Sequence, residues 1–119
     1  MIKKVNMQFL HKELAGGRWY ELSLAEQLAH IGSEISRANR WQNKDEKIFW
    51  SATERALELF YLTISDKRWR LRLKELTRLR EIFCDAVLGA REYQTKLVDL
   101  ERYFYYFTLY SQLQKIETK

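Results

Sequence analysis

The sequence predicts an all-α fold, an up-and-down antiparallel four-helix bundle with a short N-terminal arm, and three observations carry that expectation. The 119 residues include no proline and only four glycines; proline breaks helix interiors and glycine weakens them, so long uninterrupted helices are the natural outcome. Hydrophobic residues make up 46% of the chain and aromatic residues 14%, which is enough for one modest core in one domain. Apolar residues recur at helical spacing in four stretches whose connections are short, and short connections favour antiparallel neighbours. A three-helix bundle with one long hairpin is the alternative arrangement.

Residues 1–22 show no clean period and contain Gly16-Gly17, a flexible pair that reads as the join between an arm (1–22) and the bundle domain (23–119). Ser23 followed by Glu26 is a capping box, after which Leu24, Leu28, Ile31, Ile35 and Ala38 fall on one stripe of a first helix ending near Gln42. Asn43 with Glu46 repeats the capping signal, and a second helix follows with Phe49, Ala52, Ala56, Leu59, Phe60 and Thr63 on a common face. Asp66 is an N-cap for a third helix, with Trp69, Leu73, Leu76, Phe83 and Val87 inward and Gly89 as its stop. The fourth runs from about Glu92 to Lys115, with Leu97, Leu100, Phe104 and Phe107 inward.

Charge is uneven along the chain. The net charge is +5, yet residues 67–80 hold seven Lys/Arg against the single acid Glu75, so one segment accounts for the basic character. On a helical projection Lys67, Arg70, Lys74 and Arg78 form an outward row continued by Glu81 and Asp85, while Arg72 and Arg80 flank the apolar stripe within reach of acids such as Glu54 or Glu58. A row of this density suits a surface that follows phosphates, which Lys and Arg neutralise with release of counterions. A merely solvated face is the competing reading. No helix-turn-helix, zinc-finger or ribonucleoprotein pattern is present, so binding would be backbone-directed and not sequence-specific.

The stretch RYFYYFTLY, residues 102–110, surrounds its helix with aromatic groups, and one face cannot bury them all. Tyr103, Tyr106, Leu109, Tyr110 and Leu113 therefore form an expected oligomer or partner interface, tyrosine being suited to a half-wet contact. Coverage by the N-terminal arm, or base stacking on the tyrosines, would be other uses of the same stripe.

Catalysis finds little support, and an enzyme is not expected. His11 and His30 are the only imidazoles, and Glu26 and His30 are four apart, which misses the Glu-x-x-His ligand pattern of di-iron bundles. Phosphate-binding glycine loops, a Cys-His nucleophile arrangement and the Arg-x4-6-His signature of helical ribonucleases are absent. No metal or cofactor is expected. Cys84, the single cysteine, reads as a small core residue. The N-terminus lacks the apolar run of a signal peptide and no segment reaches the ~18 apolar residues of a membrane span, so no membrane association and a cytoplasmic setting are expected.

The segments SLAEQLAHIGSEISRA, RALELFYLTI and RLKELTRLREIF resemble a family of small uncharacterised prokaryotic helical-bundle proteins over about residues 19–110. At the level of architecture, a basic four-helix domain is also similar to the accessory variability determinant proteins of diversity-generating retroelements and to ribosomal intervening-sequence proteins. That second resemblance rests on length, helix count and charge, and fold alone does not fix function. It implies a ring-forming homo-oligomer that engages nucleic acid beside a reverse transcriptase. The expected function is thus a non-catalytic oligomeric accessory protein binding RNA or DNA backbones, the alternative being a protein-interaction or regulatory module with no nucleic-acid role.

Overall fold

The computed structural model describes residues 17–117. Four helices follow one another: α1 (Leu24–Trp41), α2 (Glu46–Ile64), α3 (Leu73–Val87) and α4 (Leu97–Glu117), with short 3-10 helices at Arg18–Glu21 and Lys67–Arg72. The described residues contain no strand. This is the all-α bundle that the apolar periodicity requires.

Helix α1 begins where the capping box places it. Ser23 Oγ accepts from the Glu26 N–H at 3.1 Å, and the Glu26 carboxylate accepts from the Ser23 N–H at 2.9 Å, so two N–H groups that the first turn leaves orphaned are satisfied reciprocally. Leu28, Ile31, Ile35 and Ala38 are buried and Leu24 is half-buried. The helix packs chiefly on α2 and α4. Its pairing with α4 is antiparallel: Ser36 and Asn39 both donate to the Glu101 carboxylate, at 2.5 and 2.8 Å, whereas Lys115 Nζ lies 4.0 Å from Glu26 at the other end.

Gly32 lets these two helices approach. A Cβ built there would lie 2.8 Å from Phe104 Cβ, closer than packed carbons tolerate. Phe104 is fully buried, and the Phe60 ring stands 6.2 Å from it edge-on and 5.9 Å from Phe83. These three rings tie α2, α3 and α4 together, each contributing about 1.5–3 kcal/mol by burial. All six residues expected on the inner face of α2 are buried.

Several local expectations are corrected. The second helix is capped by Asp45, whose side chain accepts from the Ile48 N–H at 3.2 Å, while Asn43 occupies a left-handed turn at φ 66°. The third element is not one α-helix from Asp66. Residues 67–72 are 3-10, Trp69 and Arg72 leave helical dihedrals, and α3 proper starts at Leu73, which is consequently exposed. Leu76 and Phe83 are buried as expected, and Trp69 and Val87 half-buried.

Gly89 does terminate α3, at φ 116°. Residues 92–96, expected to open the last helix, instead form a turned connection. The Asp85 carboxylate accepts from the N–H groups of Glu92 and Tyr93, both at 3.0 Å, and Ala90 and Gln94 take left-handed conformations. Helix α4 therefore starts at Leu97, with Leu97, Leu100 and Phe104 buried and Phe107 half-buried.

The packed domain begins ahead of Ser23. Trp19 is fully buried in the core and its indole N–H donates to Thr63 Oγ1 at 3.1 Å, so residues 18–22 belong with the bundle and not with an arm. Residues 1–16 and 118–119, including His11, lie outside the described residues.

Candidate functional site

Lys67, Arg70, Lys74 and Arg78 are all exposed. Lys67 and Arg70 stand on either side of the kink at Trp69 in the 3-10 segment, whereas in α3 residues four apart share a face, which stacks Lys74 on Arg78. The four cations are thus spread over a kinked segment and the first turns of α3, in place of one row along a single helix. Among the described residues Lys67, Arg70 and Lys74 have no carboxylate partner, while Arg78 Nε lies 3.6 Å from Glu81 and its guanidinium 5.8 Å from the Tyr93 ring. The Tyr93 hydroxyl donates to the same carboxylate at 3.0 Å, which raises its pKa.

The other arginines of the segment are internally engaged or set back. Arg72 pairs with Glu75 on its own turn at 2.9 Å, not with an acid of α2 as expected, because both side chains lie on one exposed edge of the segment. Arg80 is half-buried. Arg68 is the most firmly held. Its guanidinium donates to both Asp66 oxygens, at 3.1 and 2.7 Å, and to the Leu22 carbonyl at 2.7 Å, and it lies 4.4 Å from the Trp69 ring centre.

Asp66 anchors a buried polar hub that holds the near end of the cationic segment. Gln27, fully buried on α1, donates through Nε2 to Asp66 at 3.0 Å and to the Trp19 carbonyl at 2.8 Å, and accepts from the Trp69 indole N–H at 2.9 Å. Burial pushes the Asp66 pKa up, but hydrogen bonds from Arg68 and Gln27, with the adjacent guanidinium charge, outweigh it and leave the carboxyl below its ordinary value. Sequence reading missed this hub. Its one signal is that Gln27 projects onto the same stripe as Ile31 and Ala38, where a polar residue needs buried partners.

On α4, Tyr106, Leu109, Tyr110 and Leu113 are exposed, at 69%, 38%, 55% and 59%. Tyr103 is also exposed, but it sits on the flank, with its ring 5.5 Å from both Phe104 and Phe107. Ile116, at 68%, and Tyr105 extend the apolar surface beyond the residues singled out from sequence. The face lies opposite the one that packs on α1.

Cys84 is half-buried rather than a core residue, and burial raises its thiol pKa despite the nearby Arg80 charge. It is therefore protonated at neutral pH and a poor nucleophile. His30 is exposed, with its ring 5.6 Å from that of Trp19. Among the described residues no group of three His, Cys, Asp or Glu could hold a metal ion, and no helix is long and apolar enough to cross a membrane. A cleft of about 290 Å³ between α1 and α4 is lined by Gly32, Ser33, Ser36, Glu101, Tyr105 and Thr108 with Phe104. Its carboxylate, Glu101, is already occupied by Ser36 and Asn39.

Comparison with protein-family models, with curated proteins and with solved structures gives no significant match to this chain.

Proposed function

We propose that the chain is a non-catalytic, oligomeric accessory protein that binds nucleic-acid backbones, RNA or DNA, through Lys67, Arg70, Lys74 and Arg78. The observation that carries this reading is that three of these four exposed cations have no carboxylate partner among the described residues, on a segment already fixed to the domain by Asp66 and Gln27. A polyanion is the chemistry that answers them. The partner enzyme, a reverse transcriptase, follows from the architectural resemblance alone. No cofactor enters the reading.

Four phosphate contacts give a salt slope of roughly −3 to −4, so affinity for single-stranded RNA or duplex DNA should fall about 50- to 150-fold between 50 and 200 mM salt. Replacing all four residues by glutamine should weaken binding and flatten that slope, as read by fluorescence anisotropy. Wild-type and variant curves that coincide at both salt concentrations reject the proposal. The second reading, an interaction or regulatory module without nucleic acid, draws on the exposed aromatic face of α4. It is favoured if neither RNA nor DNA binds at 50 mM salt.

A further inference from the structure

The outer face of α4 carries more order than an apolar patch requires. Tyr106, Leu109, Leu113 and Ile116 follow one another at spacings of three, four and three residues, which is the a/d pattern of a two-stranded helical seam. All four are exposed, and Tyr105 and Tyr110 flank them. Together these side chains present on the order of 600 Å². Two such faces reach the ~1,200 Å² at which specific interfaces become stable.

Opposite charges, Arg102 and Glu117, stand toward the two ends of the seam, while the Asp99 carboxylate on the first turn already accepts from the Lys96 N–H. Arg102 stands on it one turn before Tyr106, and Glu117 lies at the edge just beyond Ile116; both are exposed, and neither has a charged partner among the described residues. Fifteen residues of helix separate them by about 22 Å. A parallel second copy would set Arg102 against Arg102. An antiparallel copy sets Arg102 against the opposite Glu117 at both ends, Tyr106 against Leu113, and Leu109 beside the two-fold axis, so that one operation answers the apolar seam and both charges.

We infer that α4 pairs with α4 of a second copy of this chain in an antiparallel, two-fold seam centred between Leu109 and Tyr110. The inference deepens the oligomeric part of the proposed function, and it stands whether or not the cationic segment binds nucleic acid.

The test is the mass of the full chain by size-exclusion chromatography with light scattering. The wild type should run as a dimer or a multiple of it, and Leu113→Asp as half that mass with unchanged helical circular dichroism. Register is read by charge exchange. Arg102→Glu and Glu117→Arg should each weaken association roughly tenfold, and the double variant should restore it. Cross-linking is read in a Cys84→Ser background, where Leu109→Cys should form a disulfide dimer while Tyr106→Cys and Leu113→Cys should do so only when mixed. A monomeric wild type whose mass Leu113→Asp leaves unchanged overturns the inference and assigns the face to residues 1–16 of the same chain or to another protein. Self-cross-linking of Tyr106→Cys, or failure of the double charge exchange to restore association, overturns the antiparallel pairing. Loss of nucleic-acid binding with an intact dimer would count against the cationic surface alone.

Discussion

The Asp66 hub and the outer face of α4 treat the same problem in opposite ways. At the hub, two tryptophans, a glutamine, a carboxylate and a guanidinium are placed so that each polar group meets a partner inside the molecule. On α4, tyrosines, leucines and an isoleucine at comparable density face outward. The first region is closed and needs nothing from outside. The second leaves its apolar side chains exposed, and the contrast separates residues that hold the domain together from residues whose apolar area the fold does not bury.

The sharpest way to break this contrast is to damage the closed side. Phe104→Ala removes the ring on which α1, α2 and α4 converge, and a loss of about 3–5 kcal/mol in urea unfolding is expected. Gln27→Ala should cost about 1–3 kcal/mol, because it leaves the Trp69 indole N–H without its acceptor, while the Trp19 carbonyl and Asp66 each lose one of their donors and keep others from Leu22 and Arg68. Gly32→Ala should cost about 1–2 kcal/mol even though alanine is the better helix former, since the added methyl meets Phe104 at 2.8 Å. A stabilised variant would show that α1 and α4 can move apart freely.

The acid response sharpens the comparison further. The Asp66 carboxyl has a lowered pKa in the folded state, so its contribution is fully present above the unfolded value near pH 4 and is lost as pH falls through the lowered folded value. Asp66→Asn should flatten that part of the pH–stability curve measured from pH 5 downward. Glu26, lowered first by its bond from the Ser23 backbone, adds to the same acid limb. The smallest effect is expected on the open side. Tyr106→Ser should change the stability of the dilute subunit by no more than ~0.5 kcal/mol while reducing the dependence of Tm on protein concentration.

How legible the molecule was in its sequence follows the same division. Stripes set by apolar spacing were readable, as on α2, where all six inner residues are buried. Ser23 and Glu26 gave the start of α1 because a capping box is a local signal. What escaped was settled by contacts distant in sequence. Trp19 looked like part of an arm because Gly16-Gly17 stood beside the boundary, yet its partner is Thr63. Gln27 went unremarked in the sequence, because its partners Asp66 and Trp69 are about forty residues away. Asp85, read as one more outward charge, captures two backbone N–H groups and delays α4 until Leu97. The cations were found by residue type, but their division between a kinked 3-10 segment and an α-helix was not, because the kink falls at Trp69, whose indole N–H is held by Gln27 42 residues away in sequence.

The grip on Arg68 has a consequence for anything that meets its neighbours. A loop carrying free cations ordinarily stiffens when an anion arrives, and the lost freedom subtracts from affinity. Here Arg68 ties the segment to the Leu22 carbonyl and Asp66 before any encounter. Lys67 and Arg70 stand on a backbone whose ordering was completed when the chain folded, so loosening that tie should slow capture and hasten escape without removing a single charge from the surface.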